Sequence, residues 1–177
     1  MTTFEYLAVL VSIIVGMGIT HLLGGIARFI HHPGHYKLHW VHLVWTWYVF
    51  MYLLTFWWMQ LWMNEVEVWS PLLYAHLVLY SVLLYFLCVI ITPPESLEDG
   101  HYRGYFFARK GWFFGVLLAL GAVDIVDCLL KDHPFGQWIL MVPLIIMAIL
   151  TKNTWFHGAV AILFSIGITL GLLSGAI

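Results

Sequence analysis

Five stretches of twenty or more mostly apolar residues follow one another with only short polar breaks: Phe4–Ile30, Leu38–Met63, Pro71–Thr92, Gly111–Leu130 and Asn153–Ile177. About 20 such residues in a helix cross the ~30 Å hydrocarbon core of a bilayer. Lipid offers no partner to backbone N–H and C=O groups, so a chain of this pattern is restricted to spanning helices. Composition agrees. Of the 177 residues 63% are apolar or aromatic, only 9% are charged, and the mean hydropathy is +0.93. A soluble domain carries about 25% charged residues, and this chain has too few to cover a water-facing surface. The expected fold is an all-α polytopic transmembrane bundle of about six helices, with residues 1–177 as one domain.

The sixth helix is the weak one. Gln137–Thr151 is 15 residues long and contains Pro143, so it either crosses with the help of its neighbours or forms a re-entrant segment. His32-Pro33-Gly34, Ser70-Pro71, Pro93-Pro94, Asp99-Gly100 and His133-Pro134 supply the breaks between runs. The longest connection is the polar stretch from Pro93 to Lys110. The N-terminal run lacks a positive leading region and outlasts a signal-peptide core, so it reads as a retained first span.

Charge sets the expected orientation. Arg28, Lys37, Arg103, Arg109, Lys110 and Lys152 flank the first, third and fifth connections, and of the 7 basic residues only Lys131 lies on the other side. The positive-inside rule then puts those connections in the cytoplasm and both termini outside. The acidic pair Glu65 and Glu67 falls on the outer side. Trp40, Trp112 and Trp155 fall at inner helix ends, and Trp62, Trp69 and Trp138 at outer ones. The net charge of −2 gives no reason to expect a nucleic-acid partner. Cys88 and Cys128 form neither a disulfide framework nor a cysteine zinc motif.

Small residues recur every fourth position in three helices: Gly16, Thr20 and Gly24; Gly111, Gly115 and Ala119; Gly167, Gly171 and Gly175. Such faces let helix backbones approach. The first, fourth and sixth helices are therefore the expected interior, and the same faces can alternatively serve a homo-oligomer. The second helix carries rings all round, from Trp45 and Tyr48 to Trp57 and Trp58, and reads as peripheral and lipid-facing or, alternatively, as the wall of a cavity for a flat ligand such as haem or quinone.

Ionisable side chains within spans are functional candidates, because each is costly to insert. An inner group is histidine. His21 lies about 10 Å below the cytoplasmic edge, and His42 and His157 about 7–8 Å below it. His39 shares a face with His42. Facing imidazoles at one depth can ligate a metal, hold a haem or relay protons. An outer group is acidic. Asp124 sits near the bilayer midplane, and Asp127 lies three residues on, with Lys131 as an i+4 partner. Asp124 has no such partner in its own helix, and His76, Glu5 and Gln60 lie at suitable depths to meet it. Two carboxylates on one face can bind a cation or share a proton. Nucleotide loops, zinc-protease and serine-hydrolase motifs, a potassium filter and a voltage-sensor arginine ladder are all absent from the sequence.

The stretches Phe4-Glu5-Tyr6-Leu7 through Gly18-Ile19-Thr20-His21-Leu22, His39-Trp40-Val41-His42 and Asn153-Thr154-Trp155-Phe156-His157 resemble a group of small multi-pass bacterial membrane proteins without an assigned activity. The resemblance implies a bacterial inner-membrane location and supplies no ligand or functional residue. From the residues themselves, the leading expectation is a non-enzymatic membrane protein that binds or passes a proton or small cation through Asp124, Asp127, His21 and His42. A haem- or quinone-binding redox protein using His21, His42 or His157 is the alternative from another class. An interaction subunit that docks a partner protein through its small-residue faces is a third.

Overall fold

The computed structural model describes residues 3–31, 37–60, 69–94, 101–130 and 136–174. They form six helices: α1 Thr3–His31, α2 Trp40–Met59, α3 Pro71–Ile91, α4 Tyr102–Leu130, α5 Gly136–Leu150 and α6 Thr154–Ser174. The all-helical expectation holds. Four of them, Phe4–His31, Pro71–Ile91, Tyr102–Leu129 and Thr154–Leu173, are long and apolar enough to cross a membrane. α2 has the length, at 20 residues, but Trp, Tyr and His residues lower its apolar character. α5 is 15 residues, about 22 Å at 1.5 Å per residue, and keeps Pro143 inside it.

α4 begins earlier than its apolar run. Tyr102–Lys110, expected as part of the long polar connection, is helical. The reason is periodic burial: Tyr102, Phe106, Lys110, Phe113, Phe114, Leu117 and Leu120 all face inward at spacings of three and four, while Arg103 and Arg109 face outward. A short bridge between Lys37 and His101 ties this start to the entry of α2.

The interior differs from the one the small residues suggest. α2 is the central helix, packed against α1, α3, α4 and α6, whereas the backbone of α1 approaches neither α4 nor α6 among the described residues. Val41, Trp45, Val49 and Leu53 of α2 are fully buried, while Trp40, Leu43, Trp47, Trp57, Trp58 and Met59 are exposed. The expectation of a peripheral α2 is therefore corrected. So is that of an α1–α4–α6 interior: a methyl added at Gly16, Gly24, Gly111, Gly115 or Gly167 meets nothing within 4 Å. Apolar periodicity cannot distinguish a protein-facing aromatic from a lipid-facing one, because lipid is as apolar as the core.

Trp45 holds the centre. Its indole meets Tyr48, Phe113, Phe114 and Phe164 edge-on, with centroids 5.2–5.8 Å apart, joining α2 to α4 and α6. Each such pair contributes about 0.5–1.5 kcal/mol beyond area burial. Close helix contacts rest on glycines outside the four-residue stripes. Gly158 receives the Trp40 ring and Gly121 the Trp138 ring, where an added methyl would lie 1.9 Å and 2.6 Å from ring carbons. Trp138, expected near an outer helix end, lies in the first turn of α5 and is buried.

One end of the bundle gathers the basic residues. Arg28 donates to the Pro93 carbonyl at 2.8 Å, and Arg103 approaches Thr154 Oγ1 at 3.5 Å. Lys110 Nζ donates to the carbonyls of Ala148 (3.1 Å), Ile149 (2.7 Å) and Thr151. These are orphan carbonyls at the α5 C-terminus, and an ammonium there also meets the negative end of the helix dipole. Glu65, Glu67, Trp62, Lys131 and Gly175 lie outside the described residues.

The packing predicts that Gly158→Ala and Gly121→Ala each destabilise the protein by about 1–3 kcal/mol through overpacking. Gly16→Ala, Gly115→Ala and Gly167→Ala leave thermal unfolding in detergent unchanged. Equal effects in both sets would show that the stripe glycines do pack against neighbours.

Candidate functional site

Asp124 lies on the face of α4 that meets α3, half-buried inside the bundle. The Tyr80 hydroxyl on α3 donates to its Oδ2 at 3.0 Å, and Tyr80 Oη is 2.6 Å from Tyr52 Oη on α2. A phenol has one proton. While Tyr80 donates to Asp124, Tyr52 must donate to Tyr80, so the chain runs Tyr52→Tyr80→Asp124 across three helices. A protonated Asp124 that donates to Tyr80 reverses both bonds. The network therefore has two proton arrangements on one set of heavy atoms.

Rings close round this chain. Phe56 stacks on Tyr80 at 5.0 Å, and Tyr48 lies 5.6 Å from Tyr52. The Trp138 indole of α5 is in electrostatic reach of Asp124, although its N–H does not meet hydrogen-bond geometry with any described group. Asp127 is half-buried and close enough for the two carboxylates to feel one another. Its expected partner Lys131 lies outside the described residues. His76 reaches the edge of the cluster, with its ring 6.1 Å from Tyr80. Glu5 does not join. It is exposed in the first turn of α1, whose backbone does not approach α4. Gln60 turns back to donate to the Phe56 carbonyl at 3.1 Å.

Tyr52, Tyr80 and Trp138 are the members that sequence reasoning passes over. Tyr80 follows His76 by four residues and so shares its helix face, which is a usable signal. Tyr52 is one ring among many in α2, and nothing in its spacing singles it out.

The histidines are dispersed. His42 is buried, with Nε2 2.7 Å from the Ile91 carbonyl. His157 is buried too, with Nε2 3.1 Å from the Thr151 carbonyl and its ring among Phe106, Phe107 and Phe114. A carbonyl only accepts, so Nε2 carries the proton in both. Their Nδ1 atoms have no hydrogen-bond partner among the described residues. His39 caps α2, its Nδ1 accepting from the Val41 N–H at 3.2 Å. Burial first, then the Arg103 charge, holds His39 below the ordinary value of 6.5. The stability contributed by this cap is therefore present above that value and lost as pH falls. His21 lines an outer groove with Arg28 and Tyr85, while His42 sits against the Leu22 and Gly25 side of α1. The facing of His21 and His42 expected from depth does not occur. Two residues at one depth can lie on different helix faces. Among the described residues, no three His, Cys, Asp or Glu side chains converge as a metal site would require.

Tyr80 is the only hydroxyl in the chain bonded to both other members. Tyr80→Phe should destabilise the protein by about 1–3 kcal/mol, since it strands two buried polar groups. Tyr52→Phe, which strands none, should have the smaller effect in detergent unfolding. The reverse order would mean that Tyr80 does not bridge the two.

Comparison of the chain with protein-family models, with curated proteins and with solved structures gives no match.

Proposed function

We propose that this small integral membrane protein binds a proton at Asp124, with a small cation as the alternative occupant, and that Tyr80 and Tyr52 adjust the hydrogen bonding to each state. One observation carries the reading: a carboxylate inside the bundle is held by a reversible chain of two phenols drawn from two other helices. A carboxylate away from water has to be paired, hydrogen-bonded or protonated. The Tyr80 bond stabilises the ionised form, and the reversed chain accommodates the protonated one. Asp127 nearby adds the second carboxylate that proton sharing or cation binding needs.

Binding is favoured over free passage. Between the Asp124 level and the histidines, Trp45, Phe113, Phe114 and Phe164 are fully buried against one another. A path to the other side has to open through that aromatic layer. The wild-type protein in lipid should show a pH-dependent carboxyl band in infrared difference spectra. The band should be absent from Asp124→Asn and shifted in Tyr80→Phe. An unchanged band in Asp124→Asn assigns the titration elsewhere and ends this reading. Proton flux into liposomes that is abolished by Asp124→Asn would extend the reading from binding to transport.

The basic end of the bundle supports the placement that charge suggests, with Arg28, Lys37, Arg103, Arg109, Lys110 and Lys152 toward the cytoplasm. In this reading all six helices cross a bacterial inner membrane and both termini lie outside. Alkaline phosphatase fused after Ile177 is then active and a fluorescent protein fused there is dark. The opposite pattern reverses the orientation.

A further inference from the structure

The Trp138 indole N–H is buried and meets hydrogen-bond geometry with no described group. An indole nitrogen can only donate, and a buried donor left unmade is costly. Trp45 has the same open bond, but the rings of Tyr48, Phe113, Phe114 and Phe164 stand round it. Trp138 differs in lying beside a carboxyl. Its benzo edge rests on the α4 backbone at Gly121. Asp124 is three residues on, about 4.5 Å along the same face. The N–H is on the opposite side of the ring, close enough to the Asp124 carboxyl to interact with it.

Asp124 has room for this donor. An ionised carboxylate offers about four lone-pair sites on its two oxygens. Among the described residues, the Tyr80 hydroxyl fills one of them, at Oδ2. The titratable groups round the carboxyl are Tyr48 and Tyr52 on α2, Tyr80 and the adjoining His76 on α3, and Asp127 on α4 itself. From α5 the facing group is Trp138.

The helix that carries Trp138 is fastened at its far end and soft in the middle. Lys110 of α4 donates to the Ala148, Ile149 and Thr151 carbonyls. Trp138 precedes Ala148 by ten residues, about 15 Å of helix. Pro143 lies midway and has no N–H for the Ile139 carbonyl, which weakens α5 between the two anchors. α5 packs chiefly on α4 and only lightly on α6.

We infer that Trp138 is the second donor to ionised Asp124, and that the N-terminal half of α5 closes on α4 when the carboxyl loses its proton and relaxes when it regains one. This rests on the reading of Asp124 as a proton site and adds the helix that responds to it. A carboxylate draws the indole N–H into line. A neutral acid attracts it about half as strongly, and the Trp138 ring then serves packing alone.

The test is NMR of the detergent-solubilised protein with isotope-labelled tryptophan, the Trp138 signal being identified by its loss in Trp138→Phe. Its N–H proton should move downfield as pH rises through the range in which the Asp124 carboxyl band fades, and should stay fixed in Asp124→Asn. In Trp138→Phe the band should persist to higher pH by about one unit, a tenfold change in proton affinity, because the ionised form has lost a donor. Lost packing alone would lower stability without moving the band. Should Trp138→Phe not fold, Trp138→Tyr identifies the signal and the wild-type titration decides. A Trp138 signal that ignores pH, or an unmoved band in Trp138→Phe, while Asp124 still titrates, overturns the inference and leaves the proton site standing. Absence of any Asp124 titration removes both.

Discussion

The bundle depends on the packing of Trp45 at the centre of α2. In lipid, burying an apolar surface against protein gains little over leaving it against acyl chains, so helix association rests on close contact. Trp45 supplies that contact toward α4 through Phe113 and Phe114 and toward α6 through Phe164. With α2 enclosed, polar side chains on it are shielded from hydrocarbon. His42, Thr55 and Tyr52 all sit on this enclosed helix.

At the basic end, polar side chains mostly serve helix termini. Tyr105 donates to the Ile90 and Thr92 carbonyls, His42 to Ile91, Lys110 to the end of α5 and His157 to Thr151. α3 and α5 both finish here, and their last carbonyls have no intrahelical donor. The residues that give this end its positive charge, or lie beside them, also satisfy those carbonyls. This accounts for buried Lys110, His42 and His157 without a ligand, and it leaves their Nδ1 atoms as the unusual feature of the two imidazoles.

The polar groups deeper in the bundle do something different. Asp124, Tyr80 and Tyr52 tie α4, α3 and α2 by side chains alone, where no helix end needs capping. A hydrogen-bonded carboxylate there is a junction between three helices, so a change in its protonation acts on how they pack.

Apolar run length determined the helical class, because a continuous apolar run of about 20 residues satisfies its own backbone in lipid as a helix, whereas a barrel strand is about half as long. The basic residues marked the end at which the first, third and fifth connections gather, and depth along the helix singled out Asp124. Which faces meet was decided by tertiary structure. Gly16, Gly24, Gly111, Gly115 and Gly167 of the four-residue stripes leave open space, and Gly121 and Gly158, outside the stripes, take close contacts. The aromatic α2 is central rather than peripheral, and the four histidines part company although three share a depth. Depth is a one-dimensional quantity that sequence position supplies directly. The direction a side chain faces depends on the packing partner, and in a medium as apolar as the core no hydrophobic contrast records it. For Asp124 the need for a partner was legible in its position, and only the fold supplied Tyr80.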